Sequence, residues 1–313
     1  MTRTILLVSL LATGGFLMAA AGCGQGSDSP PPVPAIEQVR DNLYVIEGGD
    51  PTDRDTFSGG NVAVYVMEQG VAVVDSKLPG YGQQIIEQIR TVTDKPIVAM
   101  FHTHTHNDHA GSTPEFPETI EVITHENIKA SLTRETCLPV TNCQTFQGEG
   151  AKYLPQTTFS EKMSVWFGQD QIDLYHFGPA HTNGDTLVVF PAVRAMHSGD
   201  MFSLKRPPFI DTNNGGSGLG YPETLAKTAA GIDGVDTIIP GHTPGQFSWT
   251  ELEEYADFHR DFVAKAKEAF EAGKSAEDAA NDYVIPDRFS GYNRSDPDRI
   301  QTNIQTIYDE LNQ

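Results

Sequence analysis

The sequence predicts an α/β fold in which strands outnumber helices and no strict βαβ series runs through the chain. Three observations point there. Short apolar runs bounded by glycine, proline and polar clusters recur from residue 43 onward at strand length. Stretches with apolar residues at helical spacing stand between and after them. The residues best suited to chemistry gather where the apolar runs stop, the usual place for a site built on strand-end loops.

Taken in order, "LYVIEGG" and "GNVAVYVMEQG" read as strands and "VAVVDS" as a buried strand bounded by Gly70. "YGQQIIEQIRTVT" is a helix with Ile85, Ile86 and Ile89 on one face, and Ile97–Phe101 is a short buried strand. Gly111 and Ser112 suggest a turn or helix start. Further strands fall at "SVWFG", "IDLYHFG", "TLVVFPA" and "VDTIIPG". The segment "MFSLKRPPFIDTNNGGSGLGY" after Asp200 reads as one long loop. From Trp249 the chain turns helical: Leu252, Tyr255, His259, Phe262, Val263, Ala266 and Phe270 form one apolar stripe. Ser275 caps a further helix and "DRIQTNIQTIYDELNQ" forms the last.

A length of 313 residues admits one large domain or two modest ones, with 38% hydrophobic and 20% charged residues in the globular range. The formal charge of -21 repels phosphate backbones and anionic lipid surfaces, so nucleic-acid binding is not expected. Residues 1–22 read as a signal peptide, with Arg3 before an apolar core. "AAGC" resembles a bacterial lipoprotein cleavage box, although Ala20 departs from the commoner Leu, and it makes Cys23 the expected lipid attachment site. The expected address is therefore the periplasm or cell envelope, with membrane association through the lipid alone. Residues 23–35 are expected to form a polar, proline-rich tether, residues 36–249 the main folded domain and residues 250–313 a helical extension that covers an edge of that domain or mediates self-association. In an oxidising compartment Cys137 and Cys143 are expected to pair as a local disulfide.

The densest signal is "FHTHTHNDHAG". His104, His106, Asp108 and His109 spell H-x-H-x-D-H, so i and i+2 point together from an extended segment while Asp108 and His109 offer a second set. Two ligand sets suggest two metal ions, and imidazole with carboxylate suits zinc, with iron or manganese also admissible. His181, Asp200 and His242 stand in glycine-bearing loops at other strand ends and bring the ligand set to seven. His102, His125, His176, His197 and His259 read as structural.

With these motifs in this order, the chain from Ile36 to Trp249 resembles the metallo-β-lactamase superfamily. The resemblance implies a four-layer αββα sandwich with the metals at one edge. It implies a first metal on His104, His106 and His181, a second on Asp108, His109 and His242, and Asp200 bridging. A hydroxide shared by the two dications would attack an ester, lactone, thioester or amide carbonyl, with Asp108 orienting it and passing a proton. Asp75 resembles the family's aspartate that hydrogen-bonds a ligand histidine. A carboxylate at Asp200 is similar to glyoxalase II and lactonases, whereas the β-lactamases proper typically carry cysteine or a non-bridging residue there. Lactam turnover in the periplasm stays an alternative, as does a non-catalytic metal-binding lipoprotein. The substrate is expected to be a small, anionic molecule met by Lys205 and Arg206, with Tyr221 donating to a developing oxyanion.

Overall fold

The computed structural model describes residues 30–49, 52–53, 55–141, 143–294 and 297–313. The signal segment, Cys23 and residues 24–29 of the tether lie outside the described residues. Among the described residues no helix is long and apolar enough to cross a membrane.

Two sheets carry the fold. The first comprises β1 (Glu37–Arg40), β2 (Leu43–Ile46), β3 (Val62–Val66), β4 (Val71–Val74), β5 (Ile97–Phe101), β6 (Glu121–His125) and β7 (Thr157–Phe159), side by side in chain order. Its first half is antiparallel and the pairs from β4 to β7 are parallel. The second comprises β8 (Lys162–Phe167), β9 (Asp170–Tyr175), β10 (Leu187–Phe190), β11 (Ala195–His197) and β12 (Thr237–Ile239), in the order β12-β11-β10-β9-β8. Helices α1 (Gly82–Arg90), α2 (Asn107–Ala110) and α3 (Glu126–Leu132) belong to the first half of the chain. The remaining helices are α4 (Gly220–Gly231), α5 (Trp249–Glu271), α6 (Ala276–Asp282) and α7 (Pro297–Leu311).

Layering follows from which side chains each strand buries. Leu43, Ala63, Val74 and Phe101 from the first sheet pack with Leu174, Val188, Phe190 and Ile239 from the second. The opposite face of the first sheet, with Val62, Val64, Val73 and Met100, is covered by Ile85 and Ile89 of α1. The opposite face of the second, with Leu187, Val189 and Met196, is covered by α4 and the first half of α5 through Leu225, Leu252 and Phe258. The result is the expected helix–sheet–sheet–helix sandwich. Strands β4 and β10 are buried on both faces, which is why they are continuous apolar runs in the sequence.

Four strands carry no such signal. β1 is largely exposed, β7 and β11 have three residues each, and β6 is "EVITH"; each exists because a neighbouring strand offers it backbone partners. The expected loop after Asp200 is shorter than read, because α4 begins at Gly220 and makes Tyr221 a buried helix residue. The apolar stripe from Leu252 is divided between two cores. Its first half packs on the second sheet, while Phe262, Val263 and Ala266 pack with Ile300, Ile304 and Ile307 of α7. Ser248 and Glu251 close α5 with reciprocal side-chain-to-backbone hydrogen bonds, and Ser275 caps α6.

Candidate metal centre

The loops that follow β4, β5, β11 and β12, and the loop leading into β10, converge at one edge of the sandwich. Asp75 follows β4; His104 and His106 follow β5, with Asp108 and His109 in α2; His181 precedes β10; Asp200 follows β11 and His242 follows β12. Three donor groups result: His104, His106 and His181; His104, His109 and Asp200; and Asp108, His109 and His242. Within each, one donor atom per residue lies within 4.8 Å of the others. Asp200 therefore stands between the other two groups.

Close approach requires glycine at two points. A Cβ on Gly60 would fall 2.3 Å from the His109 ring, and one on Gly241 would fall 2.0 Å from Asp200 Oδ1. Neither collision can be relieved by a flexible side-chain end, so these two backbones are part of the centre.

Hydrogen bonds fix the tautomers. Asp211 Oδ2 accepts from His106 Nε2 at 2.7 Å, the Phe209 carbonyl accepts from His181 Nδ1 at 2.7 Å, and Asp75 Oδ2 accepts from His109 Nδ1 at 2.7 Å. Thr103 donates its hydroxyl to Asp75 Oδ2, so its oxygen accepts from His104 Nδ1 at 3.0 Å. With one ring nitrogen of each of these histidines held as donor, the other points inward, as a bare lone pair on the neutral rings of His104 and His181. His106 Nδ1 and His181 Nε2 then face each other at 3.1 Å, and His109 Nε2 faces His242 Nε2 at 3.3 Å. His104 Nε2 and Asp200 Oδ1 are buried without any hydrogen-bond partner. Facing ring nitrogens and orphaned buried acceptors are a natural setting for a cation.

Charge gives the same answer. Burial, aided by the neighbouring imidazoles, draws His104 well below its ordinary value, and burial with His106 draws His181 down to about 4. These rings resist protonation at neutral pH. Burial opposes the charge on His109 too, but Asp75, Asp108 and Asp200 outweigh it and pull that imidazole well above its ordinary value. Burial works to raise Asp200, yet His242 and His109 hold it well below the usual carboxylate range. A carboxylate-rich cluster with two rings that will not protonate fits dications bound by neutral imidazole.

The sequence expectations divide here. The seven proposed ligands are brought together. Asp75 lies behind His109, fully buried at a left-handed φ of +66°. His102 faces away and meets Thr113 Oγ1 at 2.8 Å, while His197 Nε2 donates to the Asn61 carbonyl. Arg206 lines the cavity in front of the centre, but Lys205 and Tyr221 do not. Lys205 Nζ pairs with Glu251 at 2.7 Å and lies over Phe247, because the turn after Leu204 aims it at the start of α5. The Tyr221 hydroxyl donates to the Asp200 and Met201 carbonyls at 3.1 and 3.2 Å, and so steadies the ligand loop from behind.

Several contributors lacked a sequence signal. Asp211 and Asn214 sit in "FIDTNNGG", where an aspartate reads as a turn former, and Asp211 does accept from the Asn213 and Asn214 amides. Asn61 holds the His242 loop by donating to Pro240 and Thr243 carbonyls, both at 2.9 Å. Buried Lys77 donates to the Glu47 and Gly60 carbonyls, and burial draws its ammonium down to about 7. Arg299 of α7 lines the same cavity and lies 4.6 Å over the Phe209 ring.

The sequence model of the metallo-β-lactamase superfamily matches residues 55–252, more than half of the chain and all seven clustered residues. The chain belongs to the metallo-β-lactamase superfamily. Within that superfamily it is 27% identical over 175 residues to a metallo-β-lactamase type 2 of Elizabethkingia meningoseptica, covering 52% of this chain and 60% of that protein. It is 24% identical over 223 residues to the 2,4-dinitroanisole O-demethylase subunit alpha of Nocardioides sp., covering 68% of this chain and 61% of that protein. The chain thus spans about three-fifths of the length of these relatives. Among solved structures, the stereoselective inverting sec-alkylsulfatase Pisa1 from Pseudomonas sp. superposes with a TM-score of 0.69 at 14% identity, over 88% of this chain and 50% of that one. A metallo-β-lactamase from Pontibacter korlensis superposes with a TM-score of 0.58 at 16% identity, over 73% of this chain and 99% of that one. At these identities the superpositions speak for the superfamily fold alone.

Proposed function

We propose that this superfamily member is a two-metal, zinc-type hydrolase of a small anionic molecule, acting on an ester, lactone, thioester or amide carbonyl. The observation that carries the reading is the set of inward-facing ring nitrogens on His104, His106, His109 and His181, each ring oriented by a hydrogen bond behind it. In it His104, His106 and His181 would hold one dication and Asp108, His109 and His242 the other, with Asp200 between the two groups. Bound dications supply Lewis acidity and lower the pKa of water towards about 7.

The chain's own residues do the rest. Asp108 lines the cavity, within 3.4 Å of His242 Nε2, and is placed to accept a proton from an attacking water and return it to a leaving group. The cavity measures about 470 Å³, the size of a small-molecule site. Phe57, Leu78, Val140 and Phe209 give it apolar walls, while Arg206 and Arg299 give it positive charge. An anionic molecule with an apolar portion matches that lining. The two guanidinium groups also favour a second reading, in which the scissile group is a sulfate ester, the group hydrolysed by an alkylsulfatase.

Metal content per chain is the first test, followed by turnover of lactones, thioesters, β-lactams and alkyl sulfates on the same sample. About two equivalents with turnover that disappears in Asp108→Ala, fold retained, supports the reading. Two equivalents with no turnover of any substrate supports a binding protein instead. Export and anchoring through Cys23 belong to the same proposal: labelled fatty acid should be incorporated into the full-length chain in cells and be absent from Cys23→Ser.

A further inference from the structure

The disulfide between Cys137 and Cys143 closes a segment that reaches the cavity in front of the centre at Val140. Val140 lines the cavity, is 44% exposed and holds a φ of +58°. A β-branched residue is strained in the left-handed region, and such a conformation persists where the surroundings enforce it. Two constraints do so here. The disulfide closes the segment, and the Val140 carbonyl accepts the Asn107 amide at 2.9 Å, between His106 and Asp108.

A second connection runs from the same segment to the opposite side of His106. The Thr141 hydroxyl accepts from Asn214 Nδ2 at 2.7 Å, and Asn214 Nδ2 also donates to Asp211 Oδ2 at 2.5 Å. Asp211 Oδ2 is the atom that accepts from His106 Nε2. Arg134 Nη1 meets Asn214 Oδ1 at 2.6 Å, so the amide cannot turn over without losing its partners. Thr141, Asn214 and Asp211 are all buried. His106 is thereby gripped twice by one short segment, through its neighbour's amide and through its own ring.

We propose that the Cys137–Cys143 segment is a positioning element of the metal centre. It sets the His106 ring through Thr141, Asn214 and Asp211 and sets α2 through Val140, so loss of the disulfide weakens metal retention in the His104, His106 and His181 group. The proposal rests on the metal-centre reading above. Partners behind a metal-binding histidine typically contribute 10- to 100-fold in affinity, which sets the size of the expected effect.

The test uses zinc alone, with affinities read by competition against a chelator. In Cys137→Ser/Cys143→Ser the zinc equivalent held by His104, His106 and His181 should weaken by about 10- to 100-fold, more than the equivalent held by Asp108, His109 and His242. Thr141→Val should weaken the same equivalent, and Thr141→Ser, which keeps the hydroxyl, should restore it. Wild-type affinity at both equivalents in the double cysteine variant overturns the proposal, as does equal weakening of both. A second readout needs no metal. In chelator-treated protein the Asn107 amide should exchange with solvent at least about tenfold faster in the double variant than in wild type, while the β5 amides are unchanged. Unchanged Asn107 exchange also overturns the proposal. Absence of zinc from the wild-type chain would remove the hydrolase reading and leave the exchange experiment to decide what the segment does.

Discussion

Asp75 illustrates how much a single side chain arranges. One oxygen accepts the Thr103 amide at 2.8 Å, and the other accepts both the Thr103 hydroxyl and His109 Nδ1 at 2.7 Å. Burial works to raise this carboxyl, and His109 outweighs it to hold it below the usual carboxylate range. Asp75→Asn removes the charge and puts an N–H against a donor. Zinc affinity of the group containing His109 should fall by about 10- to 100-fold in a chelator competition, with secondary structure unchanged by circular dichroism. His259 makes a different case, outside the centre. It stacks on Tyr221 at 4.4 Å, its Nε2 is buried without a partner, and burial draws its pKa from 6.5 to about 3. Above pH 6.5 the ring is neutral whether the chain is folded or not. Between 6.5 and about 3 the unfolded chain takes up a proton that the folded chain excludes, so stability falls with acidification through that window. In His259→Phe the drop in melting temperature between pH 7.5 and 4.5 should shrink by several degrees, on the order of 2 kcal/mol.

At the scale of elements, the C-terminal helices are tied to the loop that walls the cavity. Asn303 of α7 donates to the Pro208 carbonyl at 2.7 Å, and Glu310 accepts the Gly218 and Leu219 amides at 2.7 and 2.9 Å. The stripe of apolar residues made α5 legible in the sequence, whereas the Ser248 cap at its start is a finding of the structure. Ser248→Ala should lower stability by about 1 kcal/mol in urea unfolding, because the Glu251 backbone amide at the first turn loses the hydroxyl that accepts from it. What the stripe does not encode is a charge at the site. Arg299 lies on α7, far along the chain from every ligand loop, and no pattern within that helix distinguishes it from a solvated arginine. Lys205 and Arg206 are the reverse case. Adjacent in sequence, they part company because successive side chains of an irregular segment leave in different directions, one to Glu251 and one to the cavity.

For the whole molecule, the layer between the sheets sets the frame on which the ligand loops converge. Phe190 is fully buried there and meets Tyr65 of the opposite sheet at a ring-centroid distance of 5.1 Å. Phe190→Ala should destabilise the chain by about 3–5 kcal/mol in denaturant unfolding, because it leaves a cavity between the sheets. The sequence by itself determined the α/β character, the buried strands, the long final helices and which residues cluster at the candidate metal centre. Those features come from local periodicity and from a histidine spacing that few other roles require. Tertiary structure alone decided that β1, β6, β7 and β11 are strands, that Asp211 and Asn214 stand behind His106, that Tyr221 supports a loop and that Arg299 enters the cavity. Each of these depends on a partner distant in the chain, and the free energy of such a contact lies in a juxtaposition that no stretch of sequence contains.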